Sequence, residues 1–315
     1  LKARAPAVET ALVRLLAQCK TAVGVDAGLT TADCLQVQRL AAGRPVVVHD
    51  VVTPAAPGSC QWLSRAALET RILAAAAAGE TMRIVCDSAA EVERAAALIA
   101  AAAPGLRVLK IHSAPGTATA GSDDAAEFLA DCNRAAGGWD VVIHSPTVES
   151  GVSLTVPHFR RTFCLFSGAS VAPDAYLQMM RRDRTAQRWE LAVTGPGVAS
   201  LPDDAGDVLL TLDATRRHSA TLFSDATGCA VARIAPASEF DKTVCDYTAA
   251  ANARKNLAAQ QLWYACERAG IVCERVDDDE RPDLTDRRAS AAAEVEQDYR
   301  AAVLGAEVLT DEARA

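Results

Sequence analysis

Between residues 64 and 195 two patterns alternate, and this constrains the possible fold more than any other feature of the chain. Short runs dominated by apolar residues lie at 82–86, 106–111, 140–144, 162–167 and 188–194. Stretches with helical spacing separate them, at 64–78, 89–102, 123–136 and 173–183, and Ser88 is placed to cap the second. Strands apolar on both faces, alternating with amphipathic helices, predict a parallel sheet covered by helices on both sides. Ligands of such sheets sit at the carboxyl ends of the strands. The loops at 87–88, 112–116, 145–153 and 168–174 follow strands and belong to that edge.

The flanks read differently. Residues 8–20 have the spacing of an amphipathic helix, 21–25 read as a short buried strand ending at Asp26, and 32–42 as a helix capped by Thr30 or Thr31. A strand is expected at 44–49, and the Pro, Ala and Gly residues of 53–59 read as a linker. After Pro202-Asp203-Asp204 the text becomes helical, over 240–270 and 286–304. Asp277 to Glu280 form an acidic loop, and 305–315 read as a frayed tail. No internal repeat is visible.

Net charge is −8, which excludes a uniformly basic nucleic-acid coat but leaves room for a local basic strip. Arginine far outnumbers lysine, which suits fixed phosphate contacts and equally a GC-rich coding sequence. The ten cysteines include no CxxC pair and none with zinc-ligand spacing to a histidine, so no metal site is expected. Several lie in apolar runs, and free buried thiols in a reducing cytosol are the expectation. Neither a signal peptide nor a membrane span is legible. A helical pattern is already running at Leu1, so the sequence reads as a piece of a longer protein.

Two segments could carry chemistry. The first is Gln178-Met179-Met180-Arg181-Arg182-Asp183-Arg184. On a continuous helix Gln178 and Arg182 share a face. A guanidinium is a permanent, planar, multi-donor cation suited to a transferring phosphoryl group. By itself the segment reads more simply as a solvated basic helix. The second is Ser145-Pro146-Thr147-Val148-Glu149-Ser150-Gly151-Val152-Ser153-Leu154, directly after a buried strand. Small hydroxyl residues and glycine let a backbone approach a phosphate closely. The plainer reading is an ordinary strand-to-helix loop. His112 and His144 end strands and read as structural histidines, and Trp263 and Tyr264 read as core.

Taken together, a strand, the Ser145–Ser153 loop, an aromatic-rich strand and the Gln178–Arg184 segment resemble motifs V and VI of superfamily 2 helicases. The version here is similar to the herpesvirus origin-binding-protein family and related plasmid and phage replication proteins. Phe128-Leu129-Ala130-Asp131-Cys132-Asn133 before Trp139-Asp140-Val141-Val142-Ile143 resembles the approach to motif V. Arg83-Ile84-Val85-Cys86-Asp87-Ser88 resembles motif IV, and Val25-Asp26-Ala27-Gly28-Leu29 the segment at motif III.

The resemblance implies an α/β RecA-like parallel sheet with a mainly helical C-terminal extension. The end of a first lobe and a linker would occupy 1–58, the second lobe 59–200 and the helical region 201–315. Arg182 and Arg184 would be arginine fingers supported by Gln178, with Gly151 and Ser153 near ATP. Ser88, Ser145 and Thr147 would lie nearer a DNA backbone, and Asp26 would couple the lobes. Partners would be DNA, as single strand or origin duplex, and replication proteins such as a primase. The setting would be a bacterial cytoplasm or nucleoid.

The chain holds no Gly-Lys-Ser/Thr loop and no Asp-Glu box after a strand. ATP and Mg2+ would therefore be held mainly by another lobe, and this chain alone would lack ATPase activity. Position 28 is Gly where that family often has an acidic residue. The rival reading is a non-catalytic nucleic-acid-binding or interaction module derived from a helicase lobe. A dehydrogenase-like α/β enzyme would need a Gly-x-Gly-x-x-Gly turn after its first strand, and Gly24 and Gly28 do not make one.

Overall fold

The computed structural model describes residues 5–21, 31–41, 44–47, 58–112, 123–146, 152–168, 170–195, 200–227 and 237–276. Helices α1 (Ala5–Gln18) and α2 (Thr31–Leu40) come first. Then follow β1 (Gly58–Trp62), α3 (Arg65–Ala77), β2 (Met82–Cys86), α4 (Ala89–Ala102) and β3 (Val108–Ile111). Next are α5 (Asp123–Ala130), α6 (Cys132–Ala135), β4 (Val141–His144), β5 (Arg161–Phe166), α7 (Pro173–Met180) and β6 (Arg188–Val193). Helices α8 (Ala205–Thr227), α9 (Glu239–Asn256) and α10 (Ala258–Arg268) precede β7 (Ile271–Arg275).

These elements form two compact units. Described residues within Leu1–Thr53 and Val198–Asn256 make one; those within Pro54–Gly197 and Leu257–Ala315 make the other. In the first unit α8 packs on α9, and Arg216 pairs with Asp241 at 2.6 Å. That guanidinium holds the Asp241 carboxyl down at about 2.

The second unit is built on a seven-stranded sheet in the order β3-β4-β2-β5-β6-β1-β7, with every ladder parallel. This is the α/β RecA-like parallel sheet that the alternation and the resemblance lead one to expect. Side chains of alternate residues feed opposite faces. Ile84, Ile143, Phe163 and Leu165 pack with Leu68, Ile72, Val92 and Ile99 of α3 and α4. On the other face Cys164, Phe166 and Leu191 meet Tyr176, Met179 and Met180 of α7 and Leu262 and Cys266 of α10. Beside them Leu109, Ile111 and Val142 meet Phe128 and Cys132 together with Val152 and Leu154. Each fully buried Leu, Ile or Phe contributes about 1.5–3 kcal/mol of transfer free energy.

Local chemistry sets the helix ends. The Ser64 and Ser88 hydroxyls accept from the Ala67 and Glu91 N–H groups, capping α3 and α4. Asp131 accepts from Arg134 N, so a new helix begins where one helix over 123–136 is expected. Pro173 opens α7 at a position where its missing N–H costs nothing.

The structure corrects several expectations. Helix α7 ends at Met180, so Arg182 and Arg184 stand in the turn after it and share no helical face with Gln178. Residues 44–47 form no strand; the Arg44 guanidinium instead donates to the carbonyls of Leu16 and Lys20. Strand β1 takes up the end of the expected linker, and β7 lies in a region read as helical. Tyr264 is 59% exposed and not core. The strand expected at 21–25, all but its first residue, lies outside the described residues, as do the helix at 286–304, the acidic loop and the tail. No helix among the described residues is long and apolar enough to cross a membrane.

Candidate functional site

The segment after β4 and the turn after α7 are joined by backbone. Leu154 N donates to Arg182 O, and Arg184 N donates to Leu154 O, both at 2.8 Å, which forms a parallel bridge between Leu154 and Asp183. The two stretches thus lie side by side, although Leu154 and Arg182 are 28 positions apart in sequence.

Each stretch is also fixed from behind. Asn133 clamps the first: its Nδ2 donates to Ser153 O at 3.0 Å, and its Oδ1 accepts from Thr155 N at 2.7 Å and Val156 N at 3.2 Å. Asp183 shapes the second. It is buried, and its Oδ1 accepts from Thr185 N, Thr185 Oγ1 and Ala186 N at 2.9, 2.7 and 3.2 Å. Such side-chain-to-backbone bonding closes a turn with little further entropy to lose.

The two arginines differ. Arg184 is exposed, with Nε 3.5 Å from Ser153 Oγ. Arg182 is half-buried; its Nη1 lies 3.5 Å from Val152 O, and its Nε is buried with no acceptor. Gln178 is half-buried one turn earlier. Ser88 is the cap of α4, its hydroxyl accepting from Glu91 N. Ser145 is buried at the end of β4, with its N–H donating to Ile111 O at 2.9 Å. Asp26, Thr147 and Gly151 lie outside the described residues. The structure therefore brings together Ser153, Arg182 and Arg184, while Ser88 caps α4 and Ser145 is buried after β4.

Beneath this surface lies a cation that the motif reading does not single out. Arg83 is fully buried on β2. Its guanidinium donates to Met180 O at 3.1 Å, to Met179 O, and to His144 Nε2 at 3.1 Å. The two carbonyls belong to the C-terminal end of α7, beyond the reach of the regular helical ladder, where Arg182 N and Trp189 Nε1 add longer bonds at 3.3 Å to Met179 O and Met180 O. Arg83 thus ties β2, β4 and the root of the arginine turn together. The clue in sequence is a charged residue inside the otherwise apolar run Met82-Arg83-Ile84-Val85-Cys86.

His144 accepts from Arg83 through Nε2, so its proton belongs on Nδ1, which faces Ser145 O at 3.2 Å. Burial, and then the Arg83 charge, push its pKa from the ordinary 6.5 down to about 3. The folded state keeps this ring neutral while the unfolded chain protonates below 6.5, so stability falls with pH between 6.5 and about 3. The slope approaches about 1.4 kcal/mol per pH unit for one proton. In urea titrations at successive pH values, His144→Gln should lose this component above pH ~4.5, where carboxylates of ordinary pKa have yet to titrate. An unchanged slope in the variant would contradict the buried neutral ring.

A second buried anchor is Asp87, at the end of β2. Its Oδ2 accepts from Ser167 N and Oγ at 2.8 Å, Tyr176 Oη at 3.0 Å and Gly168 N at 3.2 Å. The loop after β5 and the start of α7 are thereby pinned to β2. Gly168 has φ +78°, and a Cβ there would meet Gly195 Cα at 3.0 Å, so a side chain is doubly disfavoured. Burial and then the Asp87 charge push the Tyr176 phenol up, keeping it a donor.

No protein-family model and no curated protein matches the chain. Among solved structures it is similar to a Dbp5 variant of S. cerevisiae bound to a Gle1 variant and IP6, at 9% identity and a TM-score of 0.41. That match covers 90% of this chain and 58% of the other. The C-terminal domain of the DEAD-box protein Dbp5 matches at 12% identity and a TM-score of 0.30, over 44% of this chain and 77% of that one. The yeast DEAD-box splicing factor Prp28 matches at 12% and 0.31, over 72% and 51%.

Proposed function

We propose that this chain supplies the second RecA-like lobe of a superfamily 2 helicase-type ATPase that moves on DNA, in a plasmid, phage or mobile-element replication protein of the origin-binding type. The observation that carries the reading is the Leu154–Asp183 bridge, which sets Arg182 and Arg184 beside Ser153 on a braced turn. A transferring γ-phosphoryl group spreads negative charge over its oxygens, and a preorganised guanidinium meets that charge without reorganising. Arg184, exposed on that braced turn, is the finger that reaches the phosphate. Arg182 stands one step behind, with its Nη1 toward the Val152 carbonyl.

This reading leaves magnesium to another lobe. Asp183 Oδ1 serves its own turn, Asp87 Oδ2 serves the β5 loop, and no group of three or more His, Cys, Asp or Glu among the described residues could hold a metal. The metal and the triphosphate belong to a partner lobe with a phosphate loop. This chain contributes charge and geometry only. The DNA track would run past Ser88 and Thr147. Ser145 is buried and offers no surface hydroxyl to it. Asp26 and Gly151 keep their proposed places at the interlobe contact and near ATP, and Gln178 supports the arginines. A primase or another replication protein is the partner this reading implies.

The purified chain is expected to bind ATP weakly and not to hydrolyse it. DNA-stimulated phosphate release from it would contradict the division of labour. The rival, a non-catalytic nucleic-acid-binding module, draws support from Arg182, whose buried Nε suits a packing role better than catalysis.

A further inference from the structure

Helix α10 carries two aromatic residues that the core does not absorb. Leu262 and Cys266 fill the apolar cluster beneath the helix, while Tyr264 is 59% exposed and Trp263 half-buried. A guanidinium stands beside each ring. Arg268, one turn further on, lies 5.9 Å from the Tyr264 ring centre, and Arg275 of β7 lies 5.7 Å from that of Trp263. Trp62 of β1, the register partner of Arg275, meets Trp263 at 5.2 Å with the ring planes tilted by 45°. Neither Arg268 nor Arg275 forms an ion pair among the described residues. Glu267 is the one acid of α10, and its Oε1 accepts from Trp263 Nε1 at 2.9 Å. Glu274 alternates with Arg275 along β7, so it faces the other side of the sheet. Aromatic surface and un-neutralised positive charge therefore adjoin at this edge of the sheet.

The geometry points to a docking surface for single-stranded nucleic acid on α10 and β7, with a base stacked on Tyr264 and the backbone held by Arg268 and Arg275. Charge and rings together select this partner. An unpaired base offers a π-face to an aromatic side chain, and every nucleotide adds a phosphate for a guanidinium. An acidic peptide would use the charge and leave the rings idle. An apolar peptide would use the rings and bury two cations at a cost. Trp62 and Trp263 back the surface, so part of it is formed before anything binds. The surface also stands apart from a track past Ser88. Helix α10 packs on the face of the sheet that α7 covers, whereas α4, which Ser88 caps, packs on the opposite face. It is thus a second contact for the strand, and it does not rest on the nucleotide reading.

The test is fluorescence anisotropy of a labelled oligothymidylate of about 15 nucleotides titrated with the chain at low salt, without ATP. Saturable binding is expected, with a Kd of about 1–100 µM. Tyr264→Ala should weaken it about tenfold, the loss of one stacked base, and Tyr264→Phe should bind within about twofold of wild type. Arg268→Ala or Arg275→Ala should weaken binding and flatten the slope of log affinity against log salt by about 0.7, one phosphate contact each. An abasic strand of the same length keeps the phosphates and should bind wild type about tenfold more weakly. Arg134→Ala, a change at an exposed arginine elsewhere, should bind like wild type. No saturable binding, equal binding of the abasic strand, or an unchanged affinity in Tyr264→Ala overturns the assignment. So does an equal loss in Arg134→Ala, which would reveal attraction to charge alone. Because the assay holds no nucleotide cofactor, its failure leaves the role of the arginine turn untouched.

Discussion

In a protein that joins this chain to a phosphate-binding lobe, Arg184→Ala should lower DNA-stimulated ATP turnover about 10³-fold, the low end for loss of an arginine finger. That factor corresponds to about 4 kcal/mol of transition-state stabilisation. The side chain is exposed and makes only a 3.5 Å approach to Ser153 Oγ, so unfolding free energy should change by no more than about 0.5 kcal/mol. Arg182→Ala should lower turnover to a similar extent and also cost about 1–2 kcal/mol, because the side chain is half-buried and its Nη1 approaches the Val152 carbonyl at 3.5 Å. Lysine at either position should rescue poorly, since an ammonium lacks the guanidinium fork. DNA affinity, measured on the same variants, should change much less than turnover. If turnover survives while DNA affinity collapses, these arginines belong to the nucleic-acid track.

Arg83→Ala carries the second large effect, an expected destabilisation of about 3–5 kcal/mol, read from urea unfolding at neutral pH. Truncation takes the Arg83 donor from the Met179 and Met180 carbonyls, which keep longer bonds from Arg182 N and Trp189 Nε1 at 3.3 Å, strips His144 Nε2 of its partner and opens a cavity in the layer between β2 and α7. Relief from burying a cation offsets part of this loss; burial already pulls the Arg83 pKa down. Arg83→Met fills the space without restoring a donor, so it should recover part of the stability and leave the arginine turn loosely held. A change below about 1 kcal/mol for Arg83→Ala would mean that the end of α7 is fixed by other means.

The centre of this fold was legible because β2, β4 and β5 are buried on both faces and so are written as nearly unbroken apolar runs. The sheet's far edge was not. Strand β1 reads Gly58-Ser59-Cys60-Gln61-Trp62, with little β-branched or alternating character, and β7 follows α10 after only Ala269 and Gly270. Their strand state comes from pairing with each other and with β6, which is non-local information.

The same divide runs through the candidate site. Ser153, Arg182 and Arg184 were visible as residue types in order. Two of the groups that position them, buried Arg83 and half-buried Asn133, act across 97 and 20 residues of sequence, and the Asp183 backbone bridges to Leu154. Helical spacing suggested that Gln178 and Arg182 share a face. Met180 ends the helix, because the backbone beyond it turns to bond with Leu154 and Asp183 closes the turn.

The most direct measurement is the affinity of the two-lobed protein, with DNA and magnesium present, for two nucleotide ligands. One is a non-hydrolysable ATP analogue, which mimics the ground state; the other is ADP with a planar fluoride analogue of the transferring phosphoryl group. A finger acts on charge that develops during transfer, so Arg184→Ala should weaken the planar complex by about 10²-fold or more and the ATP analogue by less than about threefold. Equal weakening of both ligands, or of neither, would contradict the claim that this turn delivers an arginine to the transition state.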